Sequence, residues 1–589
     1  MTNHEIAAAF NEVADLLEFQ GANPFRVRAY RNGAKRIGDL NESLAAIAES
    51  SDRSLKEIPG IGDDLAQKIT TLLHTGTLPM LAELRREIPP GVLLLARVPG
   101  VGPKKAMILQ RELGVNSLSD LREACQGQRV RRLKGFGAKT EEGIIKGLSI
   151  AETAGARIRW ADAEVIVQNL IEYMREAPGV RQLEVAGSYR RGRDTVGDLD
   201  LLADADDGGP AMDRFAAWMH VQEVVSRGDT KMTVRLVSGM QVDLRVVLSE
   251  SFGAALQYFT GSKEHNVVVR ARAKQQGLKV NEWGVFRAAS ADGHGNEETA
   301  VSPLEQYVAG RTEHEVYAAL GLPWFPPELR EAREEFEWAA AGRLPELVSL
   351  EDIRGDLHMH TTASDGQHSI EEMVAAARAR GRQYIAITDH SKRVFMARGL
   401  DTQRLRLQWL EVDRVNRQVE DVEVLKGVEC DILEKGGMDL PDDVLAEADW
   451  VIASVHYGQS QSRAQITARV LQALENPHVD MLAHPTGRLI NRRDPYDIDM
   501  DAVLAAAARH GKSLELNANP ARLDLHEVHC AAARRLGIPI VINTDAHSAA
   551  GMDVMKYGVL QARRGGLTAA HVLNALPWAE FRQRMRRRP

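Results

Sequence analysis

Between residues 353 and 545 the chain carries seven short apolar runs separated by stretches of helical periodicity. The runs are Ile353–His360, Tyr384–Asp389, Val422–Cys430, Trp450–His456, Val479–His484, Ser513–Asn517 and Ile538–Asp545. A strand that lies parallel beside its predecessor needs a crossover, and the intervening helical stretches supply one. Seven such units in succession predict a barrel of parallel strands wrapped in helices, and in such a barrel the residues ending the strands converge at one mouth. Six of the seven runs end in an imidazole or a carboxylate: His358 and His360, Asp389-His390, Glu429, His456, His484, and Asp545 with His547. Asp365 follows the first run closely.

One histidine at a strand end is often incidental; six strands ending this way are not. The set is rich in histidine, has three carboxylates and requires no thiolate. Mixed nitrogen and oxygen donors suit a cluster of two or three Zn, Mn or Fe ions better than a structural zinc. Such a cluster clamps a phosphoester in line for hydrolysis.

A second constellation lies upstream, where Leu183–Ala186, Leu199–Ala203, Met232–Val237 and Gln241–Val247 read as strands in a mixed helix and strand region. Gly187-Ser188-Tyr189-Arg190-Arg191-Gly192 leads to Gly197-Asp198-Leu199-Asp200. Residues i and i+2 of a strand share a face, so Asp198 and Asp200 point the same way. Asp243 sits on a strand able to pair alongside. Three clustered carboxylates repel one another unless cations neutralise them, and they can hold two Mg or Mn ions, one on an attacking oxygen and one on a triphosphate. The Gly-Ser turn and its arginines offer N–H, hydroxyl and guanidinium donors to phosphates.

The first 150 residues read as helical, with Ile6, Phe10, Val13 and Leu17 at helical spacing. A short pattern recurs there as Ile58-Pro59-Gly60-Ile61-Gly62, Val98-Pro99-Gly100-Val101-Gly102 and Leu133-Lys134-Gly135-Phe136-Gly137. Two glycines around one apolar residue make a tight turn and leave the next helix's N–H groups uncovered, a favourable place for a phosphate. One copy alone reads equally well as a packing corner. Three copies near basic clusters (Arg26, Arg28, Arg31, Lys35, Arg36; Arg129, Arg131, Arg132, Lys134, Lys139) point to non-specific DNA backbone binding. The net charge of −8 is not that of a typical nucleic-acid binder, and on charge alone the clusters read as solvated helix faces, but phosphate footprints are local, so the overall sign does not exclude DNA.

These motifs support a family resemblance. The glycine pattern resembles the helix-hairpin-helix of sequence-independent DNA binders. The Gly-Ser turn with the three aspartates resembles the nucleotidyltransferase superfamily. Tyr258-Phe259-Thr260-Gly261-Ser262 and Asn281-Glu282 narrow this to DNA polymerase family X, to which polymerase beta belongs, over roughly residues 1–320. The resemblance implies that Asp198 and Asp200 bind both metals, and that Asp243 binds the catalytic one and helps activate the primer 3′-hydroxyl. It implies triphosphate contacts from Ser188, Arg191 and Gly197, exclusion of a ribose 2′-hydroxyl by Tyr258 and Phe259, and nucleotide contacts around Gly261, Lys263 and Asn266. DNA contacts are expected at Gly60, Gly62, Lys68, Gly100, Gly102, Lys104, Arg270, Asn281 and Glu282. Lys263 reads equally well as a solvated loop lysine. Gln241 departs from polymerase beta, which has an arginine beside its third aspartate.

Lys68 aligns with the Schiff-base lysine of polymerase beta's lyase domain, and Tyr30 and Arg31 match that pattern. Phe25 replaces a histidine, however, and Asp64 a phosphate-binding lysine. A carboxylate beside an ammonium raises its pKa, whereas an amine nucleophile needs it lowered. Lys68 is therefore expected to contact DNA rather than to act as an efficient lyase.

The C-terminal motifs resemble the polymerase and histidinol phosphatase (PHP) family over about residues 350–570. The positions that match its ligands are His358, His360, Asp365, His390, Glu429, His456, His484, Asp545 and His547. Asp389, Asp431 and Asn517 read as supports. A family X polymerase followed by a PHP domain resembles the bacterial family X polymerase/exonucleases. That order implies Mn-favoured filling of short gaps in repair, coupled to 3′→5′ exonuclease activity, with abasic-site endonuclease activity as a further expectation.

The fold expected is multidomain. Residues 1–85 form a helical DNA-binding or lyase-like domain and 86–155 a helix-hairpin-helix, fingers-like domain. Residues 156–250 form an α/β nucleotidyltransferase palm and 251–321 a thumb that contacts the nucleotide and the template. A Pro-containing linker spans 322–349, a seven-stranded (β/α) TIM-like PHP barrel 350–575, and a basic tail 576–589, either DNA-binding or merely solvated. Cys125, Cys430 and Cys530 form no CxxC pair, no signal peptide is evident at Met1–Phe10, and no apolar run is long enough to span a bilayer. The expected setting is the cytoplasm, at the nucleoid, with gapped or primed DNA and deoxynucleoside triphosphates as partners and a monomeric chain. Two rival readings are a small-molecule phosphatase fused to a nucleotidyltransferase and a DNA-binding scaffold with idle sites. Neither explains both the Tyr258–Ser262 block and a complete ligand set.

Overall fold

The computed structural model describes residues 1, 3–38, 40, 44–50, 53–58, 60–88, 95, 98, 101–153, 157–287 and 306–585. By contact the chain forms two compact units, Met1–Arg157 with Arg235–Gln241, and Ile158–Val234 with Val242–Pro589.

The first unit is helical. In the helix Asn3–Phe19 the residues Ile6, Phe10, Val13 and Leu17 all face the core, as their spacing predicts. Gly62 caps the helix Asp63–Thr75, and Gly102 caps Pro103–Leu113. Ile61, Val101 and Phe136 are buried, while a Cβ built on Gly60, Gly62, Gly102, Gly135 or Gly137 meets open space. Each turn thus anchors its apolar residue inside and leaves its backbone uncovered outside. Gly60 and Gly135 both have φ +88, a conformation that disfavours side chains. Pro59, Pro99 and Gly100 lie outside the described residues. Lys68 pairs with Asp64 and lies 5.7 Å over the Tyr30 ring. Burial alone would lower its pKa, but Asp64 and Tyr30 raise it, the opposite of what an amine nucleophile needs.

Apart from the ends of two strands at Arg235, Leu236 and Gln241, a five-stranded sheet belongs to the second unit, with the order β2-β4-β7-β6-β5. Its strands are β2 Gln182–Val185, β4 Asp198–Asp204, β5 Val221–Arg227, β6 Lys231–Leu236 and β7 Gln241–Val247. A separate two-stranded antiparallel sheet pairs β1 Ile158–Arg159 with β3 Thr195–Val196. Leu199 and Leu201 are buried on one face of β4, which leaves Asp198 and Asp200 together on the other. Next come the helices Phe252–Thr260 and Lys263–Gln275, then a meander of β8 Leu278–Asn281, β9 Gly284–Arg287 and β10 Gln306–Ala309.

The barrel has seven strands in sequential order: β11 Gly355–Met359, β12 Tyr384–Ile387, β13 Glu423–Asp431, β14 Trp450–Ser454, β15 Met481–Leu482, β16 Ser513–Asn517 and β17 Ile540–Asn543. Every neighbouring pair is parallel. A parallel bridge from Met359 to Ala546 nearly closes the ring. Beyond it, the helix Trp578–Met585 buries Phe581 against Tyr384, rings stacked 4.6 Å apart. The expected basic tail therefore begins inside the fold. Arg582 and Arg584 lie on this helix, and Arg586–Arg588 fall outside the described residues.

The segment 322–349, expected as a linker, is packed instead. Its prolines prevent a long helix, but Phe325, Leu329 and Arg330 are buried. Arg330 donates through both terminal nitrogens to Glu313 and through Nε to the Phe325 carbonyl (2.9 Å). Arg190 also donates to Glu313 (2.7 and 2.9 Å). Burial opposes the charged form of Glu313, but Arg330 and Arg190 overcome it and hold its pKa below the ordinary 4.5. Because the folded value is depressed, this stabilisation is complete above the ordinary pKa and is lost as pH falls below it. Glu313→Gln should cost about 3 kcal/mol at neutral pH. The deficit should shrink in acid. Urea denaturation of both proteins at neutral and acid pH checks it.

The sheet unit and the barrel share a continuous seam. Trp160 stacks on Tyr189 (4.8 Å) and meets Tyr557 edge-on (5.8 Å). Glu164 accepts from Lys556 and from the Tyr557 hydroxyl, each at 2.8 Å. Arg488 pairs with Asp194 at 3.1 Å, and Arg564 donates to the Arg191 carbonyl at 2.6 Å. Any side chain at Gly192 would collide with Leu560, whose Cδ1 lies 2.6 Å from the position of a Cβ.

Two candidate metal-dependent active sites

The first site is carried by β4 and β7. Asp200 leans on Gly187, whose φ is +64, and a Cβ there would sit 2.5 Å from Asp200 Oδ2. Burial, then the charges of Asp198 and Asp243, push the Asp200 carboxyl up to about 6, against the pull of Arg245 and Lys231. Like charges held this close call for a cation. The protein supplies part of one, since Lys231 Nζ lies 2.7 Å from Asp243 Oδ2. The Ser188 hydroxyl is buried without a hydrogen-bond partner, a donor available to a phosphate oxygen.

Other expected residues are committed in ways that sequence did not reveal. Arg191 donates to Glu331 (3.1 Å) and to the Thr260 carbonyl, so its guanidinium already holds the thumb rather than standing free for a triphosphate. Asn266 accepts from Gln257 (2.7 Å) and donates to the Tyr258 carbonyl (2.7 Å). The Tyr258 and Phe259 rings meet edge-to-face at 5.1 Å, and Arg245, from the strand of Asp243, lies 4.0 Å from the Phe259 ring centre. Gly261 has φ +67 and Ser262 caps the helix on which Lys263 and Arg270 are exposed. Gly197 is exposed and Glu282 half-buried. Asn281 accepts from the Trp283 N–H (3.0 Å), while its buried Nδ2 finds no partner. In the first unit Lys104 is exposed beside Gly102.

The second site lies at the barrel mouth and draws all nine expected ligands together. Glu429 is its centre: His390 Nδ1 (2.7 Å) and His358 Nε2 (3.4 Å) face one oxygen, His484 Nε2 (3.1 Å) and His456 Nε2 (3.4 Å) the other. Asp545 lies 3.3 Å from His360, and Asp365 lies 3.6 Å from His390 and 3.4 Å from His547. Three groupings have all their donor atoms within 4.8 Å: His360, Asp365, His390 and His547; His358, His360 and Asp545; His390, Glu429 and His456. The palm aspartates are not among such groupings of the described residues.

The donor set fits metal ions on physical grounds. His358 Nε2, both ring nitrogens of His360, His390 Nδ1, His484 Nδ1 and Glu429 Oε2 are buried and make no well-directed hydrogen bond, although His390 Nδ1 and Glu429 Oε2 lie within ion-pair distance at 2.7 Å. Orphaned polar atoms of this kind cost free energy unless a cation satisfies them. Two ligands, His484 (φ +28) and Asp545 (φ +53), also occupy left-handed backbone, the sort of strain that collects at functional sites. Burial lowers the His360 pKa to about 4, helped by His390 and His547. His390 is raised to about 10 despite burial, because Glu429 and Asp365 face it.

Supporting groups orient these ligands. Asp431 accepts from His456 Nδ1 (3.1 Å), and Asp389 accepts from the Thr361 N–H (2.8 Å) and hydroxyl (2.6 Å). Two residues were missed from sequence. Glu515 pairs with His358 Nδ1 (2.7 Å) and accepts from the His484 N–H (2.8 Å), which leaves His358 Nε2 for the site. Arg522 Nε lies 3.7 Å from Asp545 in the lining of the roughly 310 Å³ cavity that holds the cluster. Glu515 had a signal, a lone acid inside a buried strand; Arg522, in a loop, had none.

Fold and sites together define a class: a nucleotidyltransferase of the polymerase beta kind joined to a PHP barrel. Family models match as a helix-hairpin-helix domain at residues 1–78, a SAM-like helix-hairpin-helix tandem at 92–149, a DNA polymerase beta thumb at 255–331 and a PHP domain at 356–519. The chain is 40% identical over 583 residues to the DNA polymerase/3′-5′ exonuclease PolX of Bacillus subtilis, covering 98% of each protein. Its barrel half is 31% identical to a probable phosphatase of Thermoanaerobacter sp., covering 37% of this chain and 89% of that one. A probable phosphatase of Edwardsiella ictaluri is 32% identical, covering 38% and 90%. The chain belongs to the bacterial family X DNA polymerases that carry a PHP domain, enzymes of the DNA polymerase/3′-5′ exonuclease type. Such an enzyme uses divalent metal, binds DNA and takes nucleotides as substrates. Among the described residues no helix is long and apolar enough to cross a membrane.

Proposed function

We propose that the chain fills short DNA gaps in repair at Asp198, Asp200 and Asp243 and removes 3′ nucleotides at the barrel cluster. The observation that carries this division of labour is the buried set of imidazoles gathered around Glu429 within ligand distance of one another, together with a second, separate carboxylate face on β4. Divalent ions, when bound, supply the positive charge that both reactions need at phosphate oxygens. Mg or Mn suits the two positions of the all-oxygen palm site, and Zn, Mn or Fe the two or three of the barrel site.

In the palm, Asp198 and Asp200 would hold the ions from one face of β4, and Asp243 would lie by the primer 3′-hydroxyl and ease loss of its proton. Ser188 and the N–H groups of its turn bind triphosphate oxygens. Arg191 joins them only by exchanging Glu331 for phosphate. Tyr258 and Phe259 occupy the space that a ribose 2′-hydroxyl would need. In the barrel, Glu429 and Asp545 bring carboxylate charge between the histidines, and Arg522 is placed to hold a phosphate oxygen. The setting is the cytoplasm, and the chain works as a monomer.

A 5′-labelled primer on DNA with a one-nucleotide gap tests this reading. With triphosphates and Mg or Mn the primer lengthens; without triphosphates and with Mn it shortens; a chelator stops both. Release of phosphate from histidinol phosphate with no shortening of DNA would replace it with the phosphatase reading.

A further inference from the structure

We infer that Phe395 and Met396 form a stacking wall for the unpaired 3′-terminal base of the strand that enters the barrel site. This rests on the reading that the barrel cluster is where the strand is cut. Phe395 is 79% exposed and Met396 84%, adjacent on the loop that follows His390. Single exposed apolar residues are ordinary; two in succession on the loop that follows a ligand histidine are not.

The loop does not put them there by slackness. Its base is closed by Ser391 N–H to Glu429 O (2.9 Å) and Leu400 N–H to His390 O (2.7 Å). Val394, Ala397 and Leu400 are buried beneath it. Arg404 then bonds the carbonyls of Arg398 (2.9 Å), Gly399 (3.0 Å) and Ala363 (2.7 Å), which ties the loop to the turn before Asp365. The two apolar side chains are thus held in water by a loop whose ends are fixed to the ligand shell.

Met396 lines the same cavity as His390, Glu429, His456 and Arg522, and Phe395, its neighbour in the chain, stands outside that lining with its side chain in solvent. The mouth therefore presents metal ligands and a guanidinium for a phosphate, next to an apolar wall for something flat. A nucleotide has both parts. A base offers its face only when it is out of the duplex, so the wall selects frayed, mismatched or single-stranded ends. Stacking of one base on an aromatic side chain corresponds to a change in KM of about tenfold or more.

The test uses the full-length chain with Phe395→Ala, Met396→Ala and the pair together. Its substrates are single strands ending in a normal nucleotide or in one that lacks its base. The wall predicts that the preference for the base-bearing end falls about tenfold in the double variant, through KM rather than kcat. Phe395→Trp should restore it. A 2-aminopurine at the 3′ end should be quenched by the unaltered chain and not by the variant. An equal loss on both ends, or no change on either, would overturn the proposal. So would a concentration-dependent dimer, seen by light scattering, that the double variant abolishes, because the wall would then be a contact between copies. If His358→Ala with His360→Ala still shortens DNA, it is the reading of the barrel as the cutting site that fails.

Discussion

A chain carrying Asp198→Ala and Asp200→Ala is expected to add no nucleotide to a gapped primer while still shortening a 3′ end in Mn. Both carboxylates leave one face of β4, so the palm loses two of the three side chains that would hold the ions, while Asp243 keeps its pair with Lys231. Charge stabilisation by metal ions amounts to several kcal/mol, and each 1.36 kcal/mol is tenfold in rate, so extension should fall by at least about 10³. The substitutions also remove the crowding that pushes Asp200 up to about 6, so the variant should be no less stable than the parent. Single-nucleotide extension, exonuclease assay and urea denaturation on the same preparation check all three points. Loss of both activities in a folded variant would sink the assignment of two separate sites.

The converse variant, His358→Ala with His360→Ala, is expected to lose 3′ shortening by a similar factor and to keep gap filling. His360 belongs to two of the three ligand groupings and His358 to one, so the pair weakens most of the cluster at once. It also leaves Glu515 buried without its His358 partner, so some stability is lost as well. Metal content by atomic emission separates the two effects. Ions should be missing at a temperature where the chain is still folded. Full shortening by this variant would move hydrolysis elsewhere in the molecule.

The barrel was legible because its strands are buried on both faces and read as apolar runs, each punctuated by a ligand at its end. The palm was legible through alternation in Asp198-Leu199-Asp200-Leu201, and the hairpins through their glycines. What escaped has a common cause. The strand Val221–Arg227 is exposed along nearly its whole length and carries no alternation. Phe325 and Arg330 lie among prolines, in a composition typical of connectors, yet the first is buried by the thumb and the second by an ion pair. Arg191 with Glu331 and Asp194 with Arg488 are pairs whose partners lie 140 and 294 residues apart. No local pattern encodes them. Arg191 shows what a motif leaves unsaid: the residue type suits a phosphate, and in this structure its guanidinium is held by a carboxylate 140 residues away.

The seam at Gly192 bears on what mutation can do to the gene. A stop codon ahead of the barrel would not release a smaller polymerase. It would strip the cover from Trp160, Tyr189 and the Gly192 turn, and it would remove Arg488 and Arg564 from Asp194 and the Arg191 carbonyl. Shedding the second half would first require new surface residues along the palm edge, so the two halves are expected to be inherited together.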